Sequence, residues 1–202
     1  MDEENTMKWY LWIIIAILSV ALLVVLIVIG IKAAFLVDDA IKINMTEEQL
    51  LKLSDETLTL AIMTRIEHHY SAGTEEIKLA AMNDSEKVAY TVILFDWEVQ
   101  NGGLCQYFSN SSRYTASYLS DSLRIIGAHQ METLFSDFVS KHHIDISSLV
   151  AFRTDTIIEY IEKTKLYPFD EFDEVFVETY EKENLVSLNA KFIREHISDF
   201  IK

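Results

Sequence analysis

The chain has 202 residues, with 17 Lys and Arg against 32 Asp and Glu, a formal net charge of −15, and half of its residues apolar. That apolar fraction excludes a disordered acidic tail, and the charge excludes a nucleic-acid binder held by phosphate contacts, which needs clustered Lys and Arg. A lone cysteine, Cys105, excludes an internal disulfide framework and a cysteine-rich zinc site.

Residues 1–8 form a short flank carrying Asp2, Glu3, Glu4 and Lys8. Trp9 to Ile31 follows, 23 residues without a charge in which only Ser19 and Gly30 fall outside the hydrophobic set. As a helix this run reaches about 35 Å, enough to cross a hydrocarbon core of about 30 Å. Trp9, Tyr10 and Trp12 cluster at its entry and Lys32 closes its exit, as interfacial residues do. The run is too long, and its start too acidic, for a cleaved signal peptide. The expectation is an uncleaved single-pass anchor at 9–31 in contact with membrane lipid. Lys32, Lys42 and Lys52 outnumber Lys8, so the positive-inside bias points the large domain toward the cytoplasm.

Residues 32–45, with Asp38 and Asp39, read as a connector that is partly helical, and 46–202 as an acidic all-α domain. Residues 32–202 hold 16 basic and 29 acidic side chains, and the chain's single proline is Pro168. Helical periods bounded by Ser, Thr, Asp or Asn recur, while strand alternation is scarce. Thr46-Glu-Glu-Gln49 has capping-box spacing, and Ser54-Asp-Glu precedes Leu58, Ile62, Ile66 and Tyr70, with Gly73 placed to end that helix. Asp84 or Ser85 starts a helix through Val88, Val92, Phe95 and Val99 that Gly102-Gly103 stops. Further helices are expected around 104–109, 114–126, 130–141, 151–165, 170–181 and 185–201. The sequons at Asn44, Asn83 and Asn110 read as helix-cap and loop chemistry.

The densest polar chemistry gathers at the double glycine: Glu98, Asn101, Gly102, Gly103, Gln106, Tyr107 and Asn110. Two glycines let one helix stop and the next begin against its end, and Glu98 is placed to accept the first orphan N–H groups of the second helix. Read structurally, the cluster is a polar hinge; read chemically, it is a small-ligand or hydrolytic pocket, although no nucleophile and base lie together in it. At 100° per residue from Asp170, the acids Asp170, Glu171, Asp173, Glu174, Glu178 and Glu181 fall between about −60° and 100°. Phe169, Phe172, Val175, Phe176 and Tyr180 fall opposite, at roughly 140° to 280°. This is an amphipathic helix with an acidic face, either simply solvated or a docking surface for a basic partner. Glu67-His68-His69 and His142-His143-Ile-Asp145 lack the spacing of a two-ligand helix face, so neither metal nor cofactor is expected. His69 and His142 are expected to be exposed or lightly packed. Cys105 is expected to be buried and inert.

The run Glu98-Val-Gln-Asn101-Gly-Gly103-Leu-Cys-Gln106-Tyr-Phe-Ser-Asn110-Ser-Ser, with Ser122-Leu-Arg-Ile-Ile-Gly127-Ala128 after it, resembles the signature of the DNA-mimic-protein C-terminal-type family. Phe169-Asp-Glu-Phe-Asp-Glu-Val-Phe, Tyr180-Glu-Lys-Glu183 and Ala190-Lys-Phe-Ile-Arg-Glu195-His-Ile are similar to its C-terminal half, and the resemblance spans about 85–200. It implies an all-helical bacterial domain, and a relative that imitates the phosphate charge of DNA on the basic surface of a DNA-binding protein. The leading expectation is a membrane-anchored acidic domain that binds a protein partner without catalysis or direct nucleic-acid contact. The alternatives are a small-molecule or hydrolytic domain at Glu98–Asn110 and a structural membrane-tethered module.

Overall fold

The protein, seen here as a computed structural model, is described over residues 42–201. The expected flank 1–8, membrane segment 9–31 and residues 32–41 of the connector lie outside the described residues. Residues 42–44 are helical, and no helix among the described residues is long and apolar enough to cross a membrane.

Every regular element among the described residues is helical. Helix α1, Glu47–Leu51, starts on the expected capping box: Thr46 Oγ1 accepts the Gln49 N–H at 3.3 Å and Gln49 Oε1 accepts the Thr46 N–H at 2.8 Å. Ser54 caps α2, Asp55–His69, which ends at Tyr70 rather than at Gly73. A short helix absent from the sequence reading, α3 at Glu75–Ala81, follows. It buries only Leu79 and leaves Ile77 exposed, so two turns carry no amphipathic period to recognise. Helix α4, Asp84–Ser109, begins at Asp84, one of its two expected starts. Asn83 and Glu86 form a second capping box there, with bonds of 2.8 and 3.0 Å.

Beyond α4 a 3-10 turn at Ser111–Thr115 leads into α5, Ala116–Ile126. Gly127 ends α5 at φ 86°, and the Ala128 N–H returns to Leu123 O at 2.8 Å, a Schellman closure. Helix α6 spans His129–Lys141. The helix expected at 151–165 is instead a 3-10 turn, Leu149–Phe152, followed by α7, Ile157–Lys163. Thr156 Oγ1 accepts the Glu159 N–H at 3.2 Å and so starts a new helix inside the expected one. Helix α7 has no buried residue, and Ile157 and Ile158 are 79% and 74% exposed. Helices α8, Phe169–Tyr180, and α9, Leu185–Glu195, complete the fold. The last expected helix stops six residues short, at Glu195, and a 3-10 turn covers Ile197–Phe200.

The first arm of α4 is the axis of the domain. It is apolar almost all round, through Val88, Ala89, Tyr90, Val92, Ile93, Phe95 and Val99, because α2, α5, α8 and α9 pack around α4. Phe95 meets Tyr107, Phe135 and Phe176 edge-on at 5.3, 6.0 and 5.7 Å between ring centroids. Phe108 and Phe138 extend this aromatic core to Phe152, Phe169 and Phe172. Polar clamps close the ends. Arg194 on α9 pairs with Asp55 at 2.7 Å and donates to Leu53 O at 2.9 Å, and Tyr90 and Lys78 both donate to Glu67 at 2.6 Å.

Candidate functional site

The double glycine breaks α4 into two arms, as its residues predict. Gly103 sits at φ 76°, ψ 178°, a conformation that only glycine adopts readily, and a Cβ there would collide with the Asp173 carboxylate. The second arm starts at Leu104 with orphan N–H groups. Asp173 of α8 takes the first of them, Leu104 N–H to Oδ1 at 2.9 Å. Glu98, expected in that role, is turned instead toward the far end of the second arm. It accepts Gln106 Nε2 at 2.7 Å, Asn110 Nδ2 at 2.8 Å and Ser112 Oγ at 3.1 Å. The correction follows from helical geometry: one turn before a sharp break, a side chain projects alongside the returning arm rather than onto its first turn.

Of the seven polar residues singled out, Glu98, Gln106 and Asn110 come together, and Gly102 and Gly103 form the break. Asn101 is exposed and takes no part in the hub. Tyr107 is fully buried, its hydroxyl 2.7 Å from Thr115 Oγ1, and belongs to the core rather than to a pocket. With three donors on its carboxylate, Glu98 is occupied as a hub that fixes the angle between the arms. Tyr160 of α7 donates to Gly102 O at 3.2 Å across the break. Cys105 is buried, and burial pushes its thiol upward, which keeps thiolate scarce. His69 is exposed, while His142 is half-buried against Phe138 and Tyr167. No group of three potential ligands for a metal ion occurs among the described residues.

On α8 the acidic face is narrower than the sequence suggests. Asp170, Glu171, Glu174, Glu178 and Glu181 are exposed, and none forms an ion pair among the described residues. Asp173 is half-buried, and burial together with the nearby Asp170 raises its carboxyl while the Leu104 N–H holds it down. The helical angles explain both departures from expectation. Phe172 and Phe176 lie at about 200° and 240° and are buried, so the core side centres near 220–230°. Asp173, at about 300°, falls on the shoulder of that side, whereas Val175, at about 140°, falls on the opposite shoulder beside the acids. Val175 is accordingly 44% exposed rather than core.

Two functional-looking carboxylates escaped the sequence reading. Glu183 accepts the Gln130 and Met131 N–H groups, each at 3.0 Å, and so caps the start of α6 from across the fold. Asp96 lies on α4 and is only 3% exposed, with Gln100 Nε2 donating to it at 2.7 Å and the Tyr180 hydroxyl in bonding reach. Burial pushes its carboxyl up to about 6, and burial with the Asp96 charge pushes the Tyr180 phenol up to about 12. The signal was present in the sequence: Val92, Asp96 and Val99 share one helical face, so an acid occupies a core position.

The family model described as DMP19-like protein matches residues 80–196, more than half of the chain, from just before α4 to the end of α9. No curated protein and no solved structure matches.

Proposed function

Because the chain belongs to the DMP19-like protein family, we propose that it binds a protein partner through α8, presenting carboxylates to a basic, DNA-binding surface. The observation that carries this reading is the unpaired row on α8. Asp170, Glu171, Glu174, Glu178 and Glu181 fall within about 100° of one another and span about 16 Å, roughly one charge per 4 Å of helix axis. One strand of duplex DNA presents a phosphate about every 3.4 Å of axis, so a groove of Lys and Arg that follows a strand meets a comparable charge density here. Placement supports this further. Glu178 and Glu181 stand at the C-terminal end of α8, where no basic residue offsets the negative pole of the helix dipole. Acids there oppose helix stability, so packing does not account for them.

Attachment at 9–31 belongs to the same proposal. A tethered domain of this charge is repelled by anionic headgroups and stands off the bilayer, with its acidic face open to soluble partners. The partner class is a basic DNA-binding regulator or a basic toxin. The test uses the full chain and a basic protein captured with it at low salt. Affinity should fall steeply with added salt, duplex DNA should displace the partner, and Asp170→Asn with Glu174→Gln and Glu178→Gln should weaken binding. Salt-independent binding, or binding untouched by that triple change, would refute the reading.

A further inference from the structure

We propose that the cavity between α2, the first arm of α4 and the start of α9 is a docking pocket for an arginine side chain of a protein partner. The cavity measures about 460 Å³, and its walls include Glu56 and Leu60 from α2 and Asp96, Trp97, Gln100 and Asn101 from α4. Its volume lies in the range of formed ligand sites and admits a long side chain together with the backbone that bears it.

Each wall matches one part of that side chain. Asp96 supplies a carboxylate that is 97% buried and, among the described residues, paired with no cation, its partners being the Gln100 amide and the Tyr180 hydroxyl. A carboxylate so placed is held against its desolvation cost, and an incoming cation relieves that cost. Glu56, exposed in the first turn of α2 and also without an ion pair among the described residues, supplies a second negative group at the same cavity. Trp97 is 42% exposed, an aromatic face open to a cation. Leu60, 40% exposed, offers apolar surface for the methylene stem. Asn101 adds a side-chain carbonyl acceptor. A planar, weakly hydrated fork with five donors uses carboxylate, amide and ring together, whereas a compact ammonium uses only the charge, so the pocket selects arginine over lysine.

The inference rests on the reading of a basic partner but uses none of the exposed carboxylates of α8, so the two fail separately. The probe is the tripeptide acetyl-Gly-Arg-Gly-amide, titrated into the full chain in detergent micelles. The readout is the indole N–H signal of Trp97, assigned by its loss in Trp97→Phe. The arginine tripeptide should shift that signal saturably, and the same peptide with isosteric, uncharged citrulline should not. Free arginine should bind more weakly, because its own carboxylate meets Glu56. Asp96→Asn, which preserves shape and the acceptor that Gln100 uses while the Tyr180 hydroxyl turns from donor to acceptor, should weaken the arginine tripeptide by about tenfold or more. Trp97→Ala, a change at a partly exposed position, should weaken it while leaving the melting temperature near that of the parent. The triple change on α8 should leave it alone. Equal shifts from arginine and citrulline, no shift from either, or undiminished binding to Asp96→Asn each overturns the pocket. Loss of partner binding in the triple variant with an intact tripeptide response leaves both readings standing. Retained partner binding in that variant removes only the acidic-face reading.

Discussion

Replacing Asp96 with Asn is expected to stabilise the protein at neutral pH, and by an amount that depends on pH in a defined way. In the folded chain the carboxyl titrates near 6 against an ordinary value of 3.8, because burial disfavours its charged form. The difference of roughly two units corresponds to about 3 kcal/mol at about 1.4 kcal/mol per unit. Between pH 4 and pH 6 the folded state holds a proton that the unfolded state has released, so stability falls as pH rises through that window and stays lower above it. Asn carries no charge and keeps the acceptor that Gln100 uses. The variant and the parent should therefore match below about pH 4 and diverge up to about pH 6. At pH 7.5 the variant should lead by about 3 kcal/mol, or roughly 6–12 °C in melting temperature for a domain of this size. Urea denaturation of both proteins across this range measures the difference directly, and taking the difference removes the titration of every other group. A gap that does not change with pH, or a variant less stable at pH 7.5, would refute the account of Asp96 as a buried carboxylate without a cation.

Other expected outcomes test the scaffold around the α4 break. Gly103→Ala should cost about 2–4 kcal/mol, since it combines a glycine-only conformation with a collision against Asp173, while Gly127→Ala, with open space beyond its Cβ, should cost about 1 kcal/mol. Equal costs in chemical denaturation would show that the Asp173 contact contributes nothing. Glu98→Gln should lower the midpoint of unfolding by the equivalent of about 1–2 kcal/mol, because the amide carbonyl can replace only the oxygen that Gln106 and Asn110 share, leaving an NH2 group against the Ser112 hydroxyl and removing the charge that strengthens all three bonds. Glu183→Gln weakens a charged cap on α6 and should cost about 1 kcal/mol, less at high salt.

The helices most readable in the sequence were those whose starts carry a polar cap and whose apolar period runs for several turns. The helix that Ser54 caps is of this kind, whereas Thr46 offers a cap before only five helical residues and the acidic helix, which follows Pro168 without a side-chain cap, is legible by its period alone. Helix α3 was invisible because one buried leucine makes no pattern. The helix expected at 151–165 is divided because the Thr156–Glu159 cap, a local signal, prevails over an apolar period that suggests one amphipathic helix. At the break the glycines and the polar partners were legible, but their pairing was not. Which carboxylate reaches Leu104 depends on how α8 packs against α4, a contact across 69 residues that no local rule contains. The acidic face was legible as a sector, and its two shoulders were assigned to the wrong sides because the core direction needs the packed neighbours.

Helix α7 has a consequence for how the molecule opens. With no fully buried residue, it is held by its Thr156 cap and by Tyr160, which is half-buried against the core and donates to the break, and isolated helices of two turns are marginal in water. Its amides should therefore exchange with solvent through a local event of small free energy, independent of the global unfolding that limits α4. The chain between α6 and α8 thus behaves as a slack strap. The acidic helix is seated by its own phenylalanines and by Asp173, so a protease cut or an inserted residue within 153–166 should leave it in register on the core.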